Sequence, residues 1–358
     1  MKNGEDNMLK EQLELYGDVS LYSQGLASIM ADLQIKKCLD AGLITVSKSG
    51  DGREIVCDNK TKKWFIHSGG YGNNAVYSWL LGAAAGDISG SIYEHHNIKR
   101  KIGENMLCTP YCHFTDDTVM TCAVAKGIMN GIGGMNDDWY RIEANRKKVR
   151  EKIQQSVREY GRHYPSAGYG GRFMQWLMTP NPSPYRSWGN GSAMRASYAG
   201  WAAKSLEEAE VLAELSAEIT HNHTDGINGA KAVAGAIFLL KKGGTKKDVK
   251  EYVSGYYKLD FKLDDIRAGY EFDVSCKGSV PQAVTAFLEG NNFAEVLSNA
   301  ISIGGDSDTI AAIAGSIAEV IYPMSQELRG RVVDKLDSFL LRTIVSADDF
   351  VFFRFADL

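Results

Sequence analysis

Two short segments carry more oxygen ligands than a loop needs. One is Thr115-Asp116-Asp117-Thr118 and the other is Asp306-Ser307-Asp308-Thr309. Each stands just ahead of an apolar helical run, Val119, Met120, Ala123, Val124 and Ile128 after the first and Ile310, Ile313, Ile317, Val320 and Ile321 after the second. A single Thr or Asp is enough to cap a helix. The surplus carboxylates and hydroxyls suit a hard divalent cation such as Mg²⁺ or Mn²⁺, and the positive end of each helix favours ionised carboxylates. Capping and ligation are compatible, so spacing alone leaves both readings open. An EF-hand is excluded, because the fifth and sixth positions counted from Asp306 are Ile310 and Ala311. An aspartyl-nucleophile phosphatase is disfavoured, because no strand–helix alternation surrounds the Asp-x-Asp pair.

Three further segments carry chemistry less directly. In Leu81–Glu94, Gly82, Gly86 and Gly90 recur every four residues, which makes one flat helix face for close packing, with Asp87 and Glu94 left as carboxylates. Trp188-Gly-Asn-Gly-Ser-Ala-Met-Arg195 is a glycine-punctuated turn beside an arginine; it suits a phosphate-bearing ligand or a plain loop-to-helix turn equally. Cys108-x3-Cys112-His113 has no second Cys/His pair at zinc spacing, so the six cysteines read as free thiols of a reducing cytoplasm.

The elements that must position these groups are mostly helices. The chain has 358 residues, 44% hydrophobic and 23% charged, with a net charge of −4. That balance gives no positive field for nucleic acid. No apolar run is long enough for a membrane helix, and the N-terminus lacks a secretory h-region. From residue 76 to 358 the periodicity is helical. Ser205 with Glu208 and Thr245 with Asp248 read as capping boxes, Ser279 as a cap ahead of Pro281 with Gly290 as the stop, and Gly304-Gly305 as the end of the Phe293–Ile303 stretch. The expected fold class is all-α, preceded over residues 1–75 by a small α+β extension: helices within 8–40, then β-type runs at 43–46, 53–57 and 63–67.

Taken in order, Gly86-Asp87-x-x-Gly90-x-x-x-Glu94, Thr115-Asp-Asp-Thr118, Gly168-Tyr-Gly170, Gly189-Asn-Gly-Ser-Ala-Met-Arg195, Thr220-His221 and Gly304-Gly-Asp-Ser-Asp-Thr309 resemble the ADP-ribosylglycohydrolases over about residues 76–345. The resemblance implies an orthogonal multi-helix domain with a two-cation centre, Mg²⁺ or Mn²⁺, that removes ADP-ribose from a modified protein side chain, arginine first among the linkages. By position, Thr115, Asp116, Asp117, Asp306, Asp308 and Thr309 match the family's metal ligands. Glu94 matches the acid beside the metals, and it shares with Asp116 and Asp117 the candidacy for general base. Gly168, Tyr169, Gly170, Gly171, Ser192 and His221 match positions lining the ADP-ribose groove, whereas His223 reads as surface.

Residues 1–75 depart from this pattern. They read as a packing or dimerisation extension, or as a partner-binding element with Tyr16, Tyr22, Trp64 and Phe65 among charges. Some relatives serve as immunity proteins whose N-terminal extension blocks an ADP-ribosyltransferase toxin, and the resemblance extends that role here. The competing class is a non-catalytic binding protein on the same scaffold. Retention of all the placed carboxylates favours an enzyme.

Overall fold

The computed structural model describes residues 44–48, 54–58, 64–67, 80–94 and 96–356. The chain divides into two compact units, Ser78–Ala347 and the segments outside it. In the smaller unit the strands Ile44–Lys48, Glu54–Asp58 and Trp64–His67 form an antiparallel meander, with Val46 paired to Val56 and Val56 to Phe65. The strands fall on the three β-type runs of the sequence, one or two residues shifted at the ends. The helices expected within residues 8–40 lie outside the described residues.

The larger unit is all-α. Among its described residues the one β feature is a single bridge between Gly189 and Ser275, and no helix there is long and apolar enough to cross a membrane. At its centre the helices Leu81–Gly90 and Ser307–Ala318 are buried along their whole length. They cross without side chains between them: a Cβ on Gly82 would meet the carbonyl of Gly315, one on Gly86 the backbone of Ala311, and one on Gly90 the Cα of Asp308. The four-residue glycine spacing is thus the packing face that the sequence suggested, and its partner is the helix that begins with the second acidic cluster. Glu319, just past the end of that partner, accepts a hydrogen bond from the Gly82 amide at 2.6 Å, which satisfies an orphan donor in the first turn of the glycine helix.

Beside this pair lies Asp116–Ile132, the helix of the first acidic cluster. Its Gly127 and Gly131 pack closely on Ile153 and Val149 of Glu143–His163. That long helix is basic and exposed on its outer side and buries only Val149, Ile153, Ser156, Val157, Tyr160 and Gly161, the narrow apolar stripe of a surface helix.

Two local expectations change. The Ser205 cap is one-sided: its hydroxyl accepts from the Glu208 amide at 3.1 Å, but the Glu208 carboxylate turns to the Lys204 amide and the Trp139 indole. The Thr245–Asp248 box is complete. The helix expected to start at Ser279 starts instead at Cys276, capped by Ser275, whose hydroxyl accepts from the Gly278 amide at 2.8 Å. Pro281 therefore lies inside the helix, and the Ser279 hydroxyl donates to the Asp273 carbonyl at 3.1 Å. A local serine–proline signal lost here to a better-placed cap four residues earlier.

Candidate active site

The glycine helix delivers Asp87 to the start of Asp116–Ile132. Its carboxylate accepts from the Thr115 amide at 2.9 Å, the Thr115 hydroxyl at 2.6 Å, the Thr118 amide at 3.0 Å and the Thr118 hydroxyl. Oδ2 takes three of these bonds and Oδ1 takes one. Asp87 staples two helices together and so orients the residues between the threonines. Thr115 is also the N-cap, accepting from the Asp117 amide at 3.3 Å.

The second acidic cluster meets the first directly. Thr309 donates its hydroxyl proton to Asp117 Oδ2 at 3.0 Å. Carboxylate oxygens of Asp87, Asp117 and Asp308 lie within 4.8 Å of one another, and so do those of Glu94, Asp306 and Asp308. Asp306 is held by Asn190, whose amide donates to Asp306 Oδ2 at 2.6 Å and to Ser279 Oγ at 2.9 Å. Gly304 and Gly305, both at φ of +70°, make the left-handed turn that swings Asp306 and Asp308 inward. The Glu94 side grips that turn: Asn97 accepts from the Gly305 amide at 3.0 Å, and Lys99 donates to the carbonyls of Ile303 and Tyr270. Glu94 and Asp116 are half-buried at the cleft, whereas Thr115, Asp117, Asp306, Asp308 and Thr309 are buried. Asp116 belongs to neither close triad.

The donor set fits a hard cation. Asp117 Oδ1 is buried and has no hydrogen-bond partner among the described residues. Burial pushes the carboxyls of Asp117 and Asp308 well above the usual range, and the neighbouring carboxylates push them further. Asp116 is raised to about 7 by burial, then by Asp87 and Asp306. Burial also raises Asp306 and Asp87, against the hydrogen bonds that each accepts. Acids this close and this buried stay ionised only with positive charge among them, and oxygen ligands select Mg²⁺-like ions.

From this acidic floor a cleft of about 650 Å³ runs past Gly168, Gly170 and Gly171 to the Gly189–Gly191 turn and His221. Gly168 has φ +109°, and a Cβ there would come 3.3 Å from Asp116 Oδ1; at Gly170 and Gly171 a Cβ would meet nothing. Main chain is therefore open to a ligand along this wall. Tyr169 departs from the expected lining: its ring packs on Phe173 at 5.2 Å between centroids, and its buried hydroxyl has no partner among the described residues. Ser192 also departs. It lies beneath the turn and donates to the Gly226 carbonyl at 2.7 Å, because the Asn190–Ser192 3₁₀ turn sends Asn190 and Gly191 toward the cleft and residue 192 inward.

His221 lines the cleft and is buried, its ring 6.0 Å from that of Tyr185. Burial, then Arg195 and Arg172, hold its imidazole well below the usual range, so it is neutral. His223 serves as the N-cap of Thr224–Lys241, with Nδ1 accepting from the Asp225 amide at 3.1 Å. Cys108, Cys112, Cys122 and Cys276 are free and buried.

Asp87 and Asn190 are the site residues that spacing did not single out as such. The donors to Asp87 lie 28 and 31 residues away, and Asp306 lies 116 residues from Asn190. The only sequence signal for either was membership of a motif.

Comparison with known proteins agrees with this architecture. ADP-ribosylhydrolase ARH3 of Homo sapiens is 27% identical over 321 residues, covering 69% of this chain and 85% of that protein. ADP-ribosylarginine hydrolase Tri1 of Pseudomonas putida is 26% identical over 275 residues, covering 69% and 70%. A solved ADP-ribosylglycohydrolase-related protein complex shares the fold, with a TM-score of 0.54 at 21% identity over 77% of this chain and 96% of that one. The family model for ADP-ribosylglycohydrolase matches residues 73–351, a span that holds every residue of the cleft, and the chain therefore belongs to the ADP-ribosylglycohydrolase family and is a glycohydrolase.

Proposed function

We propose that the protein hydrolyses the bond between ADP-ribose and a modified protein side chain, using two divalent cations, Mg²⁺ or Mn²⁺, held by Thr115, Asp116, Asp117, Asp306, Asp308 and Thr309. The observation that carries this reading is the meeting of two acidic helix starts around an unpaired, buried oxygen of Asp117. Asp87 is assigned as a brace, since its carboxylate accepts four hydrogen bonds from Thr115 and Thr118. Bound there, the cations would hold ribose hydroxyls and lower the pKa of an attacking water. Cleavage at the anomeric carbon builds positive charge on the sugar, which the surrounding carboxylates stabilise. Glu94 and Asp116 are the half-buried acids at the cleft and are the candidates to take the proton of the water; Asp117 is the third candidate, but it is buried and tied to Thr309. The open main chain at Gly168, Gly170 and Gly171, with His221 beyond, suits the diphosphate and adenosine half.

Arginine is the first linkage to test, because the relative whose name specifies a linkage acts on ADP-ribosylarginine. The protein with Mg²⁺ or Mn²⁺ is incubated with proteins mono-ADP-ribosylated on arginine or on serine, and free ADP-ribose is quantified. Release from the arginine conjugate that stops in EDTA is expected. Release from serine alone would move the linkage and keep the hydrolase. No release from either conjugate would defeat the reading.

The catalytic domain is assigned to residues 76–358 and a partner-binding role to residues 1–75, most of which precede the family match at residue 73. An ADP-ribosyltransferase toxin is the partner proposed. Deleting residues 1–75 should leave hydrolysis intact and remove stoichiometric toxin binding; loss of hydrolysis would make the segment part of the catalytic fold.

A further inference from the structure

Behind the glycine turn, Arg195, Thr220 and His221 form a chain of hydrogen bonds. Arg195 is buried, and its Nη2 donates to Thr220 Oγ1 at 2.7 Å and to the Ser216 carbonyl at 2.9 Å. These two bonds use both protons of that nitrogen. A guanidinium has no acceptor, so at Thr220 the oxygen receives. Thr220 Oγ1 also lies 2.7 Å from His221 Nδ1. Thr220 is buried, and among the described residues its hydroxyl proton has no other acceptor. The chain therefore runs one way, from Arg195 through Thr220 to Nδ1. Nδ1 accepts, and the ring proton of the neutral imidazole sits on Nε2.

Nε2 faces the cleft turn. A Cβ on Gly191 would lie 3.1 Å from it and one on Gly189 3.6 Å, so it is the missing side chains that leave this nitrogen open. The opposite tautomer would strand the hydroxyl proton of Thr220 in the interior, at the cost of an unsatisfied buried donor. It would also turn a bare acceptor toward the ligand. Two cationic groups stand close by: Arg195 behind the ring, and Arg172, which lies 5.0 Å from the Tyr185 ring centroid and donates to the Tyr185 carbonyl at 2.8 Å. Their charge favours an anion here.

We propose that Arg195 and Thr220 are positioning residues that lock His221 as its Nε2–H tautomer, so that this end of the cleft offers a neutral N–H donor to a diphosphate oxygen. The tautomer half stands on the hydrogen-bond chain alone. The ligand half rests on the function proposed above.

The test uses full-length ¹⁵N-labelled protein and long-range ¹H–¹⁵N correlation of histidine rings, with His221 assigned through a His221→Gln variant. Wild type should show the Nε2–H form. Thr220→Val should shift His221 toward the other tautomer, and Thr220→Ser should restore it. ADP-ribose affinity should fall about tenfold in Thr220→Val, the value of one hydrogen bond to a charged group, with kcat changed less than about twofold and recovered in Thr220→Ser. Gly191→Ala should keep the tautomer and weaken binding by a similar factor, because its methyl covers Nε2. An Nδ1–H form in wild type, or an unmoved tautomer in a folded Thr220→Val, would overturn the relay. The expected tautomer in a wild type that binds no ADP-ribose would overturn the ligand half and the proposed function, while the relay stood.

Discussion

The two ends of the cleft are built by opposite means. At the acidic end, charge is placed by packing: helices with no room for a methyl group between them force carboxylates from three chain segments to within a few ångströms. At the His221 end a donor is placed by hydrogen bonding, on a loop whose glycines leave space. The acidic end holds groups that repel one another and so needs rigid walls and a counter-charge. The other end holds a neutral ring whose orientation a single hydroxyl decides. Perturbing packing should therefore damage the first end, and deleting one hydrogen bond should retune the second.

The largest contrast is expected from the carboxylates. Asp308→Ala or Asp117→Ala should lower metal-dependent ADP-ribose release at least about a thousandfold, roughly 4 kcal/mol in the barrier, while ADP-ribose binding weakens far less. Steady-state rates at limiting metal, beside calorimetric binding, would show this, and full activity in either purified variant would break the site assignment.

Next comes the helix crossing. Gly86→Val places a side chain on the Ala311 backbone and should cost about 3 kcal/mol or more of stability. Urea unfolding with an unchanged midpoint would contradict the packing account.

Asp87→Asn keeps the volume but loses acceptor capacity for the Thr115 and Thr118 donors. A loss of about 2 kcal/mol in stability is expected, with a 10- to 100-fold loss in rate of the kind seen when a ligand's support is removed. A rate loss confined to Asp117 variants would show that the brace is dispensable.

The last effect is electrostatic. Without metal, Asp116 titrates at about 7 in the folded protein against 3.8 for the free group. Between these values the folded state keeps a proton that the unfolded chain has released, so metal-free stability should fall as pH rises from about 4 to about 7. Saturating Mg²⁺ should flatten that slope and raise Tm. Melting curves in EDTA and in Mg²⁺ across this range would check it; parallel slopes would count against metal at the acidic floor.

Much of the framework was legible in sequence because it is local. Thr115 and Thr245 cap the helices that follow them by bonding amides two or three residues on, and Gly82, Gly86 and Gly90 repeat at the period of one helix face. Pro281 shows where local signals misled. Ser279 before a proline reads as a helix start, yet Ser275, held in the bridge to Gly189, caps the helix by accepting from the Gly278 amide.

By itself, the sequence determined the all-α class of the main unit, the strand positions near residues 44–67, and the motif order that places the chain in its family. These depend on periodicity, on capping and on residue identity, which are properties of neighbours in the chain. Tertiary structure alone decided that Asp87 braces two helices, that Asn190 holds Asp306, that Ser192 turns inward, and that the proton of His221 points to the cleft. The physical reason is directional: a hydrogen bond acts over about 3 Å, and only the packing of remote helices says which donor stands in front of which acceptor.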